Sequence, residues 1–180
     1  MLLEEDEEEV GREKGPQQVS VLTTEYLASG LDDPEYSAFE AANDTHIGDE
    51  DAHGFFLTEA RVRSIGNLKT PAQTFANWQI PSMQSVIALL AEDAAAQESL
   101  LDFWADFNVP FKVVIYAGEF MVEGTMFSDD EDPPEFYRQA FRPIEDAMIT
   151  HQSEGKGDAI RVKLGLVNVA HIHGFSFEKS

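Results

Sequence analysis

Apolar residues at Met83, Val86, Ile87, Leu90, Ala94, Leu101 and Trp104 follow three- and four-residue steps, which predicts one amphipathic helix from about Ser82 to Phe107. Pro81 fits a helix start and Pro110 closes the far side. Glu92, Asp93, Glu98, Asp102 and Asp106 fall off the stripe, toward water. Acids in the last turns oppose the helix dipole by about 0.3 kcal/mol or a little more each. Burying each large apolar side chain is worth about 1.5–3 kcal/mol, so the helix is expected to dock. Elsewhere the pattern is short and strand-like. Lys112 to Tyr116, Phe120 to Met126, Ala147 to Thr150, Ile160 to Leu166 and Val169 to Phe175 read as strands separated by turn residues.

The pattern also repeats. Val19 to Gly30 lies without gaps over Val113 to Gly124, each reading as strand, tight turn before Glu25 or Glu119, and second strand. Pro34-Glu35-Tyr36 then matches Pro134-Glu135-Phe136, where a proline opens a short helical turn beside an acid. Ala38-Phe39 with Asp44 and Ile47 matches Ala140-Phe141 with Asp146 and Ile149, and Ala60-Arg61-Val62-Arg63 matches Ala170-His171-Ile172-His173. The second copy is longer, its extra residues falling around Ser128 to Pro133 and Gln152 to Gly157, where insertion is cheap because loop entropy grows slowly with length.

A unit of roughly 50–70 residues with such strands closes as a small barrel or stays a sheet covered by something else. The expected fold is therefore α+β, mainly β: two small antiparallel β-barrel units from an internal duplication, joined by the amphipathic helix. Residues 1–16 form a disordered acidic start, 17–66 the first unit, 67–110 a linker with the helix, and 111–180 the second unit. Val113, Ile115, Gly118 and Gly124 in the first hairpin of the second unit, with Leu166 to Ile172 in its last strands, resemble the Sm-like and SH3-like small barrels. Phe120 with Gly124, Ala147, Val167-Asn168 and His171-Ile172 are similar to the pattern of an uncharacterised bacterial single-barrel family. The Sm-like resemblance implies rings and RNA binding. The Asp-x-x-x-Asn loop and Arg-Gly pair such proteins use for nucleotides have no match here, since Gly165-Leu166-Val167-Asn168 lacks an arginine.

Charge changes the picture of partners. The chain has 180 residues and a formal net charge of -22, of which Met1 to Pro16 supply -5, so the acidity belongs mostly to the remainder. Such a field repels phosphate backbones, and Arg61 with Arg63 and Arg138 with Arg142 are too small as basic clusters to offset it. Nucleic acid is not an expected partner. A basic protein or a second copy is. No run of 18 apolar residues exists, so no membrane span is expected, and the acidic start lacks the features of a secretory signal, which points to the cytoplasm. The absence of cysteine removes disulfides, thiolate nucleophiles and thiolate zinc sites.

Chemistry is sparse. In a strand, positions two apart share a face, so His171 and His173 are the metal candidates, with His151, His46 or His53 as a third ligand. Their repeat counterparts Arg61 and Arg63 are not metal ligands, which favours a polar outer pair. Glu25 and Glu119 match near a turn, and Asp129 to Asp132 and Asp49 to Asp51 lack the calcium-loop pattern. Trp78, Phe103, Trp104 and Phe107, with Arg61 and Arg63, are the interface candidates. The expected role is a noncatalytic protein-interaction or assembly module without a cofactor. The alternatives are a metal-dependent enzyme or sensor using His171 and His173, and Sm-like RNA binding.

Overall fold

The computed structural model describes residues 15–33, 37–48, 52–67, 69–104, 107–129, 132, 139–153 and 159–180, apart from the side chains of Asn67, Asp102 and Trp104. The acidic start through residue 14, Pro34 to Tyr36, Asp49 to Asp51, Asp130 and Glu131, and Pro134 to Phe136 lie outside the described residues.

Ten strands form one antiparallel sheet: β1 (Gln17–Thr23), β2 (Tyr26–Asp32), β3 (Phe55–Ser64), β4 (Gln73–Ile80), β5 (Val86–Ala91), β6 (Val109–Ala117), β7 (Phe120–Ser128), β8 (Phe141–His151), β9 (Ile160–Asn168) and β10 (Ile172–Lys179). Their order across the sheet is β10-β6-β7-β8-β9-β5-β1-β2-β3-β4. Among the described residues two short α-helices, α1 (Ala38–Asp44) and α2 (Ala94–Leu100), are added to it. This overturns the expectation of two barrels joined by a helix. β5 pairs with β1 on one side and β9 on the other, so the ladder runs unbroken through both halves and the sheet stays open.

The helix expected from Ser82 to Phe107 is likewise replaced. Met83–Ser85 make a 3-10 turn, Val86–Ala91 are β5, and only Ala94–Leu100 are α-helical before a second 3-10 turn at Leu101–Trp104. The physical reason is that Val86 to Ala91 are apolar without interruption, a run that satisfies a helical and a buried-strand pattern equally. All six are buried. Val86, Leu89 and Ala91 belong to one core cluster, while Ile87, Ala88 and Leu90 belong to another. A surface helix would bury one stripe of this run; the strand buries both sides. Asp93 then starts α2, its carboxylate accepting from the Ala96 N–H at 2.8 Å and from the Gln18 N–H of β1 at 2.9 Å.

The chain follows one path twice. β1 to β4 form a meander and β5 returns to pair with β1; β6 to β9 form a meander and β10 returns to pair with β6. The hairpin block of the sequence alignment falls on β1–β2 and β6–β7, but its later blocks fall on unlike elements. Ala38-Phe39 begin α1 while Phe141 begins β8, and Ala60 to Arg63 lie in β3 while Ala170-His171 lie in a 3-10 turn (Val169–His171) that precedes β10. The strand predicted from Val169 therefore starts only at Ile172.

The two 3-10 turns meet where the halves join. Asn168, 1% exposed, donates from Nδ2 to the Val86 carbonyl at 2.8 Å and the Met83 carbonyl at 3.3 Å, while its Oδ1 accepts from the Ala170 N–H at 3.0 Å. Removing this side chain strands buried carbonyls of the facing turn. Asn168→Ala is therefore expected to lower the unfolding free energy by about 1–3 kcal/mol, read from urea denaturation. An unchanged urea midpoint would show that this contact does not hold the turns together.

Candidate interaction surface

The outer strands of the sheet are β4 and β10, and among the described residues no strand pairs with the far side of either. On β10, Phe175 and Phe177 are 39% and 44% exposed, with ring centroids 5.6 Å apart, and Phe177 meets Phe111 edge-on at 6.3 Å. On β4, Trp78 packs against Tyr26 edge-on at 5.2 Å and against Phe75 at 4.9 Å. These aromatics, with Glu25, Val62 and Arg63, line a cleft of about 500 Å³. The Trp78 indole N–H is buried and has no acceptor among the described residues, an unmet hydrogen bond that costs stability.

The sequence candidates are distributed rather than gathered. Arg61 and Arg63 are exposed on β3, lining a smaller hollow of about 210 Å³ with Leu27 and Ser29. Trp78 is half-buried on the β4 edge. Phe103 packs against the first core, and Phe107 lies under the Arg142 guanidinium, 4.4 Å from ring centroid to Cζ. The Trp104 side chain lies outside the described residues. Phe175 and Phe177 were not among the expected anchors, although the Phe-Ser-Phe alternation at the end of the chain carries the signal of a strand with an apolar face.

His171 and His173 do not share a strand face, because His171 sits in the 3-10 turn and only His173 in β10. Their matching to Arg61 and Arg63 fails for the same reason. His171 Nε2 lies 2.7 Å from the Gln84 carbonyl, to which it donates, so this ring joins the two turns. Among the described residues no three His, Asp or Glu side chains converge as a metal site. One chain of polar groups was missed in the sequence: His151 Nε2 donates to Glu119 at 3.2 Å, and its Nδ1 accepts from the Ser153 Oγ at 2.7 Å and the Ser153 N–H at 3.3 Å. Glu119 and Ser153 are exposed at the β7–β8 end of the sheet while the His151 side chain is only 10% exposed, and the double acceptance by Nδ1 ties down the turn after β8.

Asp32, at the end of β2, is a buried carboxylate, 3% exposed. Burial pushes its pKa up to about 6, against hydrogen bonds from the Ala38 N–H at 3.0 Å and the Ser37 hydroxyl at 3.1 Å that favour the charge. Ser37 also caps α1, accepting from the Phe39 N–H at 3.3 Å. Asp32 thus fixes the entry to α1 at an electrostatic cost.

No family model, curated protein or solved structure matches the chain. Among the described residues no helix is long and apolar enough to cross a membrane.

Because the folded pKa of Asp32 exceeds the ordinary value of 3.8, the folded chain holds this proton more tightly than the unfolded one. Its contribution is harmless below pH 3.8 and becomes unfavourable as pH rises toward 6, by up to about 3 kcal/mol. Asp32→Asn is expected to gain stability relative to the parent chain between pH 4 and pH 7, measured by thermal or urea unfolding across that range. A difference that does not change with pH would sink this assignment.

Proposed function

We propose that the chain is a noncatalytic assembly or protein-interaction module that acts through the two edges of its sheet. The observation that carries this reading is the placement of half-exposed aromatic side chains on both outer strands, Phe175 and Phe177 on β10 and Trp78 on β4. An edge strand offers a row of backbone donors and acceptors to another chain, and aromatic anchors add energy to that pairing. The net charge of -22 favours a protein over a nucleic acid as the partner. The recurrence of the five-strand path supports duplication of one unit as its origin.

Affinity purification from the native cell tests the reading. The parent chain is expected to retain a protein partner or further copies of itself. Phe175→Arg with Phe177→Arg is expected to weaken that retention at least about tenfold, the effect of losing roughly 1.4 kcal/mol at an interface. Glu98→Gln, on α2, serves as the control and is expected to bind as the parent does. Equal retention by all three chains would remove the edges from the function.

A further inference from the structure

The structure contains one pairing between strands that occupy, in their halves, the places of the two edge strands. The 3-10 turn at Met83–Ser85, capped by Ser82, precedes β5; the one at Val169–His171, capped by Asn168, precedes β10. Val86 pairs with Thr23 and Ile172 with Ala117; each ladder then skips one residue and resumes at Ala88 with Leu22 and at Gly174 with Tyr116. Across the sheet, the β2–β3 ladder shifts at Gly30 opposite Glu59 (φ 51°), and the β7–β8 ladder shifts at Gly124 near Asp146 (φ 48°). Val62 pairs with Gln73 on β4, and the corresponding Ile149 pairs with Ile160 on β9. By these landmarks β10 stands in its half where β5 stands in the other, and β4 stands where β9 does. Inside the chain, β5 and β9 are hydrogen-bonded. Their counterparts β10 and β4 are the two outer strands.

We infer that a second copy of this chain pairs head-to-tail with the first, its β4 adding antiparallel to β10 in the register of the β5–β9 junction. This rests on the edge-assembly reading above and names its occupant. The internal register joins Ala88 to Val167, Leu89 to Leu166, Leu90 to Gly165 and Ala91 to Leu164. Carried to the edges, it sets Gly174 opposite Ile80, Phe175 opposite Gln79, Ser176 opposite Trp78 and Phe177 opposite Asn77 of the next copy. Size complementarity survives the transfer. Leu90 faces Gly165 inside the chain, where an added Cβ would lie 2.9 Å from the Leu89 carbonyl oxygen; at the edges small Ser176 faces large Trp78. The apolar pairs of the junction become Phe175 with Gln79 and Phe177 with Asn77, a mixed composition that suits an interface whose halves must also survive in water. The pairing is heterologous, so it continues from copy to copy, as a ring where the rotation closes and as an open filament where it does not.

Light scattering and sedimentation of the full chain test this. The parent chain is expected to exceed the monomer mass and to gain mass with concentration. Asn77→Arg with Gln79→Arg blocks β4, and Phe175→Arg with Phe177→Arg blocks β10. Each variant alone is expected to be a monomer, while an equimolar mixture forms a dimer through the one intact β4 and the one intact β10. A parent chain that stays monomeric from micromolar to millimolar concentration overturns the inference, as does a single-edge variant that remains dimeric alone, which indicates like edges pairing. Edge-dependent capture of a different protein by a monomeric chain would leave the broader assembly reading standing while this one fell. Because the chain contains no cysteine, Phe175→Cys mixed with Gln79→Cys reads the register without relying on charge. Oxidation is expected to give the mixed disulfide in excess of either homodimer; a statistical mixture of the three overturns the register.

Discussion

The antiparallel pairing of β5 with β9 is the constraint on which the rest of the molecule depends. Each of these strands contributes side chains to both cores: Leu89 and Leu166 to one, Leu90 and Val167 to the other. Neither half can complete its interior without residues from the opposite half, so the hydrophobic driving force acts across the junction rather than on either side alone. Asn168 and His171 add polar links between the two 3-10 turns at the same place, satisfying carbonyls that burial would otherwise penalise. The halves are therefore stabilised together.

This arrangement explains the contrast between β5 and β10. β5 is apolar throughout because its alternate side chains enter a core on each face of the sheet, whereas β10 alternates phenylalanine with serine and ends in Glu178 and Lys179 because its side chains are largely exposed. Charged and polar positions are the usual means by which an edge avoids indiscriminate pairing. Phe175 and Phe177 beside them leave apolar surface on this edge, 39% and 44% exposed, and this links the packing of the sheet to its proposed use in assembly.

The local hairpins were readable from the sequence, the joining of the halves was not, and the failures have identifiable causes. The hairpins β1–β2 and β6–β7 were legible because alternation and a turn before Glu25 or Glu119 specify them locally. The central strand was not. Val86 to Ala91 carry no polar residue to reveal a period, and only the long-range pairing with β1 and β9 decides between helix and strand. The edge strand β4 was assigned to a linker because Gln73, Thr74, Asn77 and Gln79 dilute its alternation. Trp78 was expected as an anchor on size alone, while Phe175 and Phe177 were passed over because the expected strand, Val169 to Phe175, stopped short of the end of β10. The histidine pair misled because alignment by local similarity shifted β3 onto the turn before β10, placing arginines where the path of the chain places Ser85 and Ile87.

The bulge at Glu59 carries a further meaning for β3. Before it, Phe55 and Leu57 are the inward residues; after it, Ala60 takes that role and Arg61 and Arg63 face out. The extra residue resets the phase of the strand by one position, since side chains alternate with a period of two. A strand that ran regularly through Glu59, without the bulge, would invert its second half, turning both guanidinium groups toward the interior and Ala60 toward water; removing Glu59 altogether would instead restore plain alternation with Ala60 still inward.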